Sequence, residues 1–193
     1  MSVNCEEISF LSQGVRLRGG WYVSTTSGDQ AAARKPCIVM AHGLGGTRAS
    51  GLVPFAEHFA AAGFAVLCFD YRGFGESEGS PRQYVSVSLQ LEDWHSAITY
   101  ARQQPGVDAG RIALWGSSFS GGVVIAAAVR DGKIAAVSSQ GGMLDGFASF
   151  LNLVKQAGPV HVAKLTALAV QDALRARLGH PRITVPVVGV PGS

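Results

Sequence analysis

The stretch from Arg111 to Gly122 constrains this chain most. Arg111 to Trp115 reads as a short buried strand, and Gly116-Ser117-Ser118-Phe119-Ser120-Gly121-Gly122 opens directly into the apolar, helix-compatible run 123–129. A strand that turns into a helix through Gly-x-Ser-x-small leaves no room for a loop. The serine at the apex takes a strained backbone conformation, and the strand end and helix start pass so closely that bulky side chains two residues to either side would clash. This selects among the three serines. Ser117 has Trp115 two positions before it, and Ser120 lies inside the helix, whereas Ser118 is flanked by Gly116 and Ser120. The pattern predicts an exposed hydroxyl at a strand-to-helix apex, as a serine nucleophile requires. A Ser/Gly-rich loop before an ordinary helix is the plainer reading of the same residues.

Around this stretch the chain alternates short apolar runs with longer helical ones. Residues 8–11 and 15–23 form an expected antiparallel hairpin, and 24–35 a polar loop. Strands are then expected at 37–41, 64–69, 111–115 and 134–139, and helices at 52–62, closed by Gly63, and at 85–104, stopped by Pro105-Gly106. Near-continuous apolar strands separated by helices predict an α/β fold: a mostly parallel sheet covered on both faces.

After Gln140 the rhythm breaks. Helices are expected at 145–157 and 161–178, with Val162, Leu165, Leu168, Ala169 and Leu174 as one apolar stripe, and then a strand over 183–190. Two helices with no strand between them form an excursion from the sheet. They read either as a lid offering Phe147 and Phe150 to an acyl group or as plain packing. At 193 residues and 47% hydrophobic content, one domain over 1–193 is expected. It divides into a core half-sheet over 6–140, the helical excursion over 141–182, and a strand and chain end over 183–193.

The net charge of +3 comes from dispersed Lys and Arg, which implies neither a nucleic-acid nor a membrane partner. Cys5, Cys37 and Cys68 lack metal-ligand spacing and read as buried reduced thiols. No apolar leader begins the chain, and a cytoplasmic location is expected.

Acyl transfer through a serine needs fixed N–H donors for the tetrahedral oxygen. Phe119 N–H, directly after the serine, is one expected donor. The other is expected from the loop Ala41-His42-Gly43-Leu44-Gly45-Gly46-Thr47, at the Leu44 N–H. The same loop, with Asp70 ending the next strand, imitates a dinucleotide fingerprint, but the third glycine position holds Arg48. Asp70 reads as a structural acceptor for neighbouring N–H groups. Glu92 and His95, one helical turn apart without a third ligand, read as a solvated helix face.

Together, His42-Gly43-Leu44-Gly45-Gly46, Asp70-Tyr71-Arg72-Gly73-Phe74-Gly75-Glu76-Ser77 and Gly116 to Gly122 resemble the α/β-hydrolase superfamily. Within it they are most similar to the dienelactone-hydrolase-like and X-prolyl-dipeptidyl-peptidase-like branch, which includes the hydrolase-like polyketide transferases. The resemblance covers residues 6–140. It implies a serine hydrolase or acyltransferase with a Ser-Asp-His triad, no metal and no organic cofactor, acting on a small-molecule ester, thioester or amide. In that order the base follows the nucleophile, which argues against His42. The family's acid and histidine follow later strands, and nothing in this sequence fills those places. Asp145 with His161 or His180 keeps the order Ser, Asp, His, but both histidines fall in the excursion. The expectation is an N-terminal portion of a longer hydrolase, inactive alone. The alternatives are a non-catalytic hydrolase-fold protein and a nucleotide-binding α/β module.

Overall fold

The computed structural model describes residues 2–25 and 34–187. It separates into two compact units, Met1–Gly142 and Met143–Ser193.

The first unit is built on a six-stranded sheet. β1 (Val3–Ser12) and β2 (Val15–Ser24) form the expected hairpin, longer than the apolar pattern suggested because polar residues continue the ladder from Val3↔Ser24 to Ser12↔Val15. The turn is Gln13-Gly14, both at positive φ, where glycine costs least. β3 (Lys35–Ala41), β4 (Ala65–Phe69), β5 (Val107–Ser117) and β6 (Ala136–Gln140) follow, with α1 (Val53–Ala61), α2 (Val87–Gln103) and α3 (Phe119–Asp131) between them. The sheet order is β1-β2-β4-β3-β5-β6, antiparallel from β1 to β4 and parallel from β4 to β6. The parallel α/β reading holds. Most of the loop expected at 24–35 lies outside the described residues.

The topology determines where a site can form. From β3 the chain crosses through α1 to β4 on one side, then through α2 to β5 on the other. The loops leaving β3 and β5 therefore diverge at the carboxyl ends of adjacent strands, where open α/β sheets form their ligand crevices. Two apolar layers hold the strands. Phe69, Trp94, Ile98, Leu114, Phe119 and Val124 belong to the layer of α2 and α3. Met40, Ala56, Ala60, Cys68 and Trp115 belong to that of α1. Cys37 and Cys68 are buried as expected, whereas Cys5 is exposed on edge strand β1, a correction to its reading as a buried thiol.

The second unit is dominated by α4 (Gly146–Arg177), which joins the two expected helices across a kink at Gly158 (φ 81°, ψ 157°) followed by Pro159. Pro159 supplies no N–H to the preceding turn, and the glycine takes up the bend. Val162 is buried, but Leu174 is 54% exposed, so the apolar stripe weakens toward its end. Phe147 and Phe150 are exposed as well. Residues 183–187 form no strand, which corrects the expectation there. Pro186 removes a ladder donor, and Asp172 instead accepts the Ile183 N–H at 2.7 Å. Residues 188–193 lie outside the described ones.

Candidate active site

β5 ends at Ser117 and α3 begins at Phe119, so Ser118 alone forms the corner. Its φ of 54° and ψ of −123° make it the only one of the three serines at positive φ. Such a conformation costs about 1–3 kcal/mol and persists only where the surroundings impose it. Here Ser118 N–H donates to Gln140 O on β6 at 2.9 Å, and Gly121 N–H donates to Ser118 O at 3.0 Å. The crossing of strand and helix is as tight as the sequence spacing requires. A Cβ on Gly116 would lie 2.5 Å from Ser120 O and 2.7 Å from Ser120 C. Ser118 itself is exposed.

The loop after β3 meets this corner because Ala41 pairs with Gly116 in the sheet. A Cβ on Gly43 would sit 3.3 Å from both Ser117 O and Ser118 Cβ, so only a bare backbone can lie against the corner. Among the described residues, neither Leu44 nor Phe119 donates its N–H to any protein acceptor.

His42 is buried beneath the loop. Tyr71 N–H donates to its Nε2 at 3.4 Å, which leaves the proton on Nδ1 to donate to Gly43 O at 2.9 Å. Burial pushes this imidazole below its ordinary range, against the opposing pull of Gly43 O and the Asp70 carboxylate. Both nitrogens are thus engaged in shaping the loop, and neither is free to take a proton from Ser118.

Asp70 is structural, as its strand-end position suggested. Its Oδ1 accepts Arg48 N–H at 2.7 Å, and its Oδ2 lies 3.5 Å from Arg48 Nε. Arg48 also grips Glu7 through both guanidinium nitrogens, at 2.8 and 2.6 Å, and reaches Glu76 at 3.2 Å. The residue that breaks the dinucleotide pattern is therefore the anchor of the loop. Arg72 donates to Asp93 through its backbone N–H, Nε and Nη2, tying the turn after β4 to α2.

Glu92 pairs with Arg130 at 2.6 Å and accepts from Gln13, and no His, Cys, Asp or Glu cluster among the described residues could hold a metal ion. Asp145 caps α4, its Oδ1 accepting from Phe147 and Ala148 N–H. His180, just past α4, donates its backbone N–H to Arg175 O.

One contact escaped sequence reasoning. The Tyr71 hydroxyl lies 3.1 Å from Ser120 Oγ and accepts Trp94 Nε1–H at 2.7 Å, all three residues being buried. The signal available was Ser120 itself, a polar residue where the usual pattern has glycine. Beside the corner, a cleft of about 570 Å³ is lined by Leu52, Phe55, Phe59, Trp115, Ser117 and Gln140.

The sequence matches the family described as serine aminopeptidase, S33, over residues 32–176. It is 44% identical over 186 residues to the quorum-quenching protein AidA of Acinetobacter baumannii, covering 96% of this chain and 58% of that protein. It is 42% identical over 134 residues to thiohydrolase aneE of Aspergillus aculeatus, covering 69% of this chain and 40% of that protein. The crystal structure of the α/β-hydrolase GrgF from Penicillium sp. sh18 superposes with a TM-score of 0.77 at 28% identity, covering 100% of this chain and 61% of that one. This chain thus spans less than two thirds of the length of each. No helix among the described residues is long and apolar enough to cross a membrane.

Proposed function

The chain belongs to the serine aminopeptidase S33 family of α/β-hydrolases, and from that premise we propose a serine hydrolase or acyltransferase acting through an acyl-Ser118 intermediate. The observation that carries the proposal is the Ser118 corner: an exposed hydroxyl on a strained apex, with two unpartnered N–H groups on the loops that meet there.

In this reading Ser118 Oγ attacks the carbonyl carbon of a small-molecule ester, thioester or amide and loses its proton to a base. The carbonyl oxygen becomes an anion and accepts hydrogen bonds from the Leu44 and Phe119 N–H groups, each donor being worth about 3–4 kcal/mol in the transition state. Collapse breaks the bond to the alcohol, thiol or amine, which leaves with a proton. Water or a second nucleophile then takes the acyl group from Ser118. The names thiohydrolase and polyketide transferase among the relatives support acyl chemistry of this kind. The loop that carries the Leu44 donor is held by His42 and Arg48, which shape it rather than react.

In the α/β-hydrolase chain order the proton passes to a histidine that follows Ser118 in sequence, and both His42 nitrogens are occupied. A fluorophosphonate probe tests the proposal on this chain and on a form with the further length its relatives have. Stoichiometric labelling that survives Ser117→Ala and vanishes in Ser118→Ala is expected; labelling that persists without Ser118 would end the reading. Hydrolysis of p-nitrophenyl butyrate by His161→Ala and His180→Ala variants decides whether either residue is the base. Loss of Ser118-dependent turnover in one of them would identify it, and unchanged Ser118-dependent turnover in both would exclude the two as the base.

A further inference from the structure

We propose that Tyr71 is a positioning residue that sets the separation of the two halves of the anion pocket, joining the loop after β3 to the corner after β5. The inference rests on the reading of Leu44 and Phe119 as donors to one oxygen.

Those two donors stand on different loops, and an anion pocket works only if their spacing is held to a fraction of an ångström. Tyr71 belongs to neither loop. It follows β4, which is separated from β5 in the sheet by β3, yet it contacts both sides of the pocket. On one side its backbone N–H donates to His42 Nε2, and its ring meets the His42 ring edge-on at 4.8 Å. His42 in turn donates from Nδ1 to Gly43 O, one residue before Leu44. On the other side the Tyr71 hydroxyl bonds Ser120 Oγ, one residue after Phe119.

The direction of this second bond follows from donor chemistry. An indole N–H can only donate, so Trp94 takes a lone pair of the Tyr71 oxygen, and Ser120 Oγ is the acceptor within reach that satisfies the buried phenol proton. The chain of contacts runs Trp94, Tyr71, Ser120 through the hydroxyl and Tyr71, His42, Gly43 through the backbone. Each pocket donor is one residue from a group that Tyr71 fixes.

This also explains the departure at Ser120. A glycine there would give the strand crossing the same room but leave the buried Tyr71 hydroxyl without an acceptor, and a buried polar group without its partner is costly. Ser120 is fully buried and small enough to lie beneath Gly116. Ser120 and Tyr71 are therefore a matched pair, and Tyr71 sees both motifs at once.

The test uses Tyr71→Phe, Ser120→Gly and the double variant in the full chain, with Ser118 phosphonylation followed over time. Tyr71→Phe keeps the ring against His42 and removes only the hydroxyl. The expected result is a 10–100-fold lower labelling rate constant in each single variant, an end point still at one probe per chain, and a double variant no slower than the slower single. A merely structural role would lower the end point, by unfolding a fraction of the chains, and leave the rate of the remainder unchanged. Wild-type rates in both single variants would overturn the inference while leaving the serine reading intact. If the wild-type chain does not label, amide resonances decide instead. Shifted Gly43 and Leu44 signals in Ser120→Gly would support the coupling through Tyr71, and unshifted signals would refute it.

Discussion

Replacing Gly116 by alanine asks directly whether the corner is held by the closeness of strand and helix. The new Cβ would stand 2.5 Å from Ser120 O, 2.7 Å from Ser120 C and 2.9 Å from Ser120 Oγ, and contacts below 3.0 Å are not sustained. The first two are backbone atoms, so no side-chain rotation relieves them, and the corner must open by about half an ångström. The strand side is fixed by pairing of Gly116 with both Ala41 and Ser139, and the helix side by burial of Phe119, Val123 and Val124. Overpacking a tight core costs about 1–3 kcal/mol and at times more, and a clash between two backbones belongs at the upper end, near ~3 kcal/mol. With a urea m-value of about 1–3 kcal/mol/M, the unfolding midpoint should fall by ~1–3 M. Tryptophan fluorescence is the assay, because Trp94 and Trp115 are buried on opposite faces of the sheet within the first unit. Gly146→Ala is the control, since nothing lies within 4 Å of a Cβ there. A Gly116→Ala midpoint as close to wild type as the control's would show that the crossing has slack, and would remove the steric basis for choosing Ser118.

Two further predictions concern titratable groups. Burial lowers the His42 pKa, so below its ordinary value of about 6.5 the unfolded chain binds a proton that the folded chain refuses. Stability should therefore fall as pH drops from about 6.5, with a slope approaching 1.4 kcal/mol per pH unit. His42→Gln should flatten that slope in urea titrations between pH 7 and 5, and an unaltered slope would contradict the buried neutral imidazole. The carboxyls of Asp108 and Asp131, held low first by their arginine partners, lose their contribution only as pH falls through the usual carboxylate range, so the two windows separate. Burial also pushes the Cys37 thiol up to about 12 and raises that of Cys68, whereas Cys5 is exposed. Native chain at pH 8 should take up one maleimide by intact mass and three in urea, and more than one in the native state would contradict this packing.

Much of this was legible in the sequence because it depends on local sterics. Gly116 and Ser120 bracket Ser118 at a spacing that only a tight crossing explains, and the apolar runs at 37–41 and 111–115 mark strands whose pairing brings Gly43 to Ser118. Asp70 could be assigned a structural role from its place at a strand end. What escaped depends on partners distant in sequence. Nothing near Arg48 announces Glu7 as its partner, and nothing near Tyr71 announces Trp94 and Ser120, because α2 and the β3 crossover must fold before these groups meet. The strand expected at 183–190 failed for a related reason. An apolar run forms a strand only where a ladder awaits it, and Pro186 with the Asp172–Ile183 bond turns residues 183–187 elsewhere.

The most direct test of the account is a crystal structure of the protein after reaction with a small dialkyl fluorophosphate. The phosphoryl oxygen of that adduct mimics the anion that acyl transfer would create. The account predicts a phosphorus bonded to Ser118 Oγ, with this oxygen about 2.7–3.1 Å from both the Leu44 and the Phe119 nitrogens. An adduct on Ser117 or Ser120, or a phosphoryl oxygen on Ser118 reached by neither N–H, would contradict it.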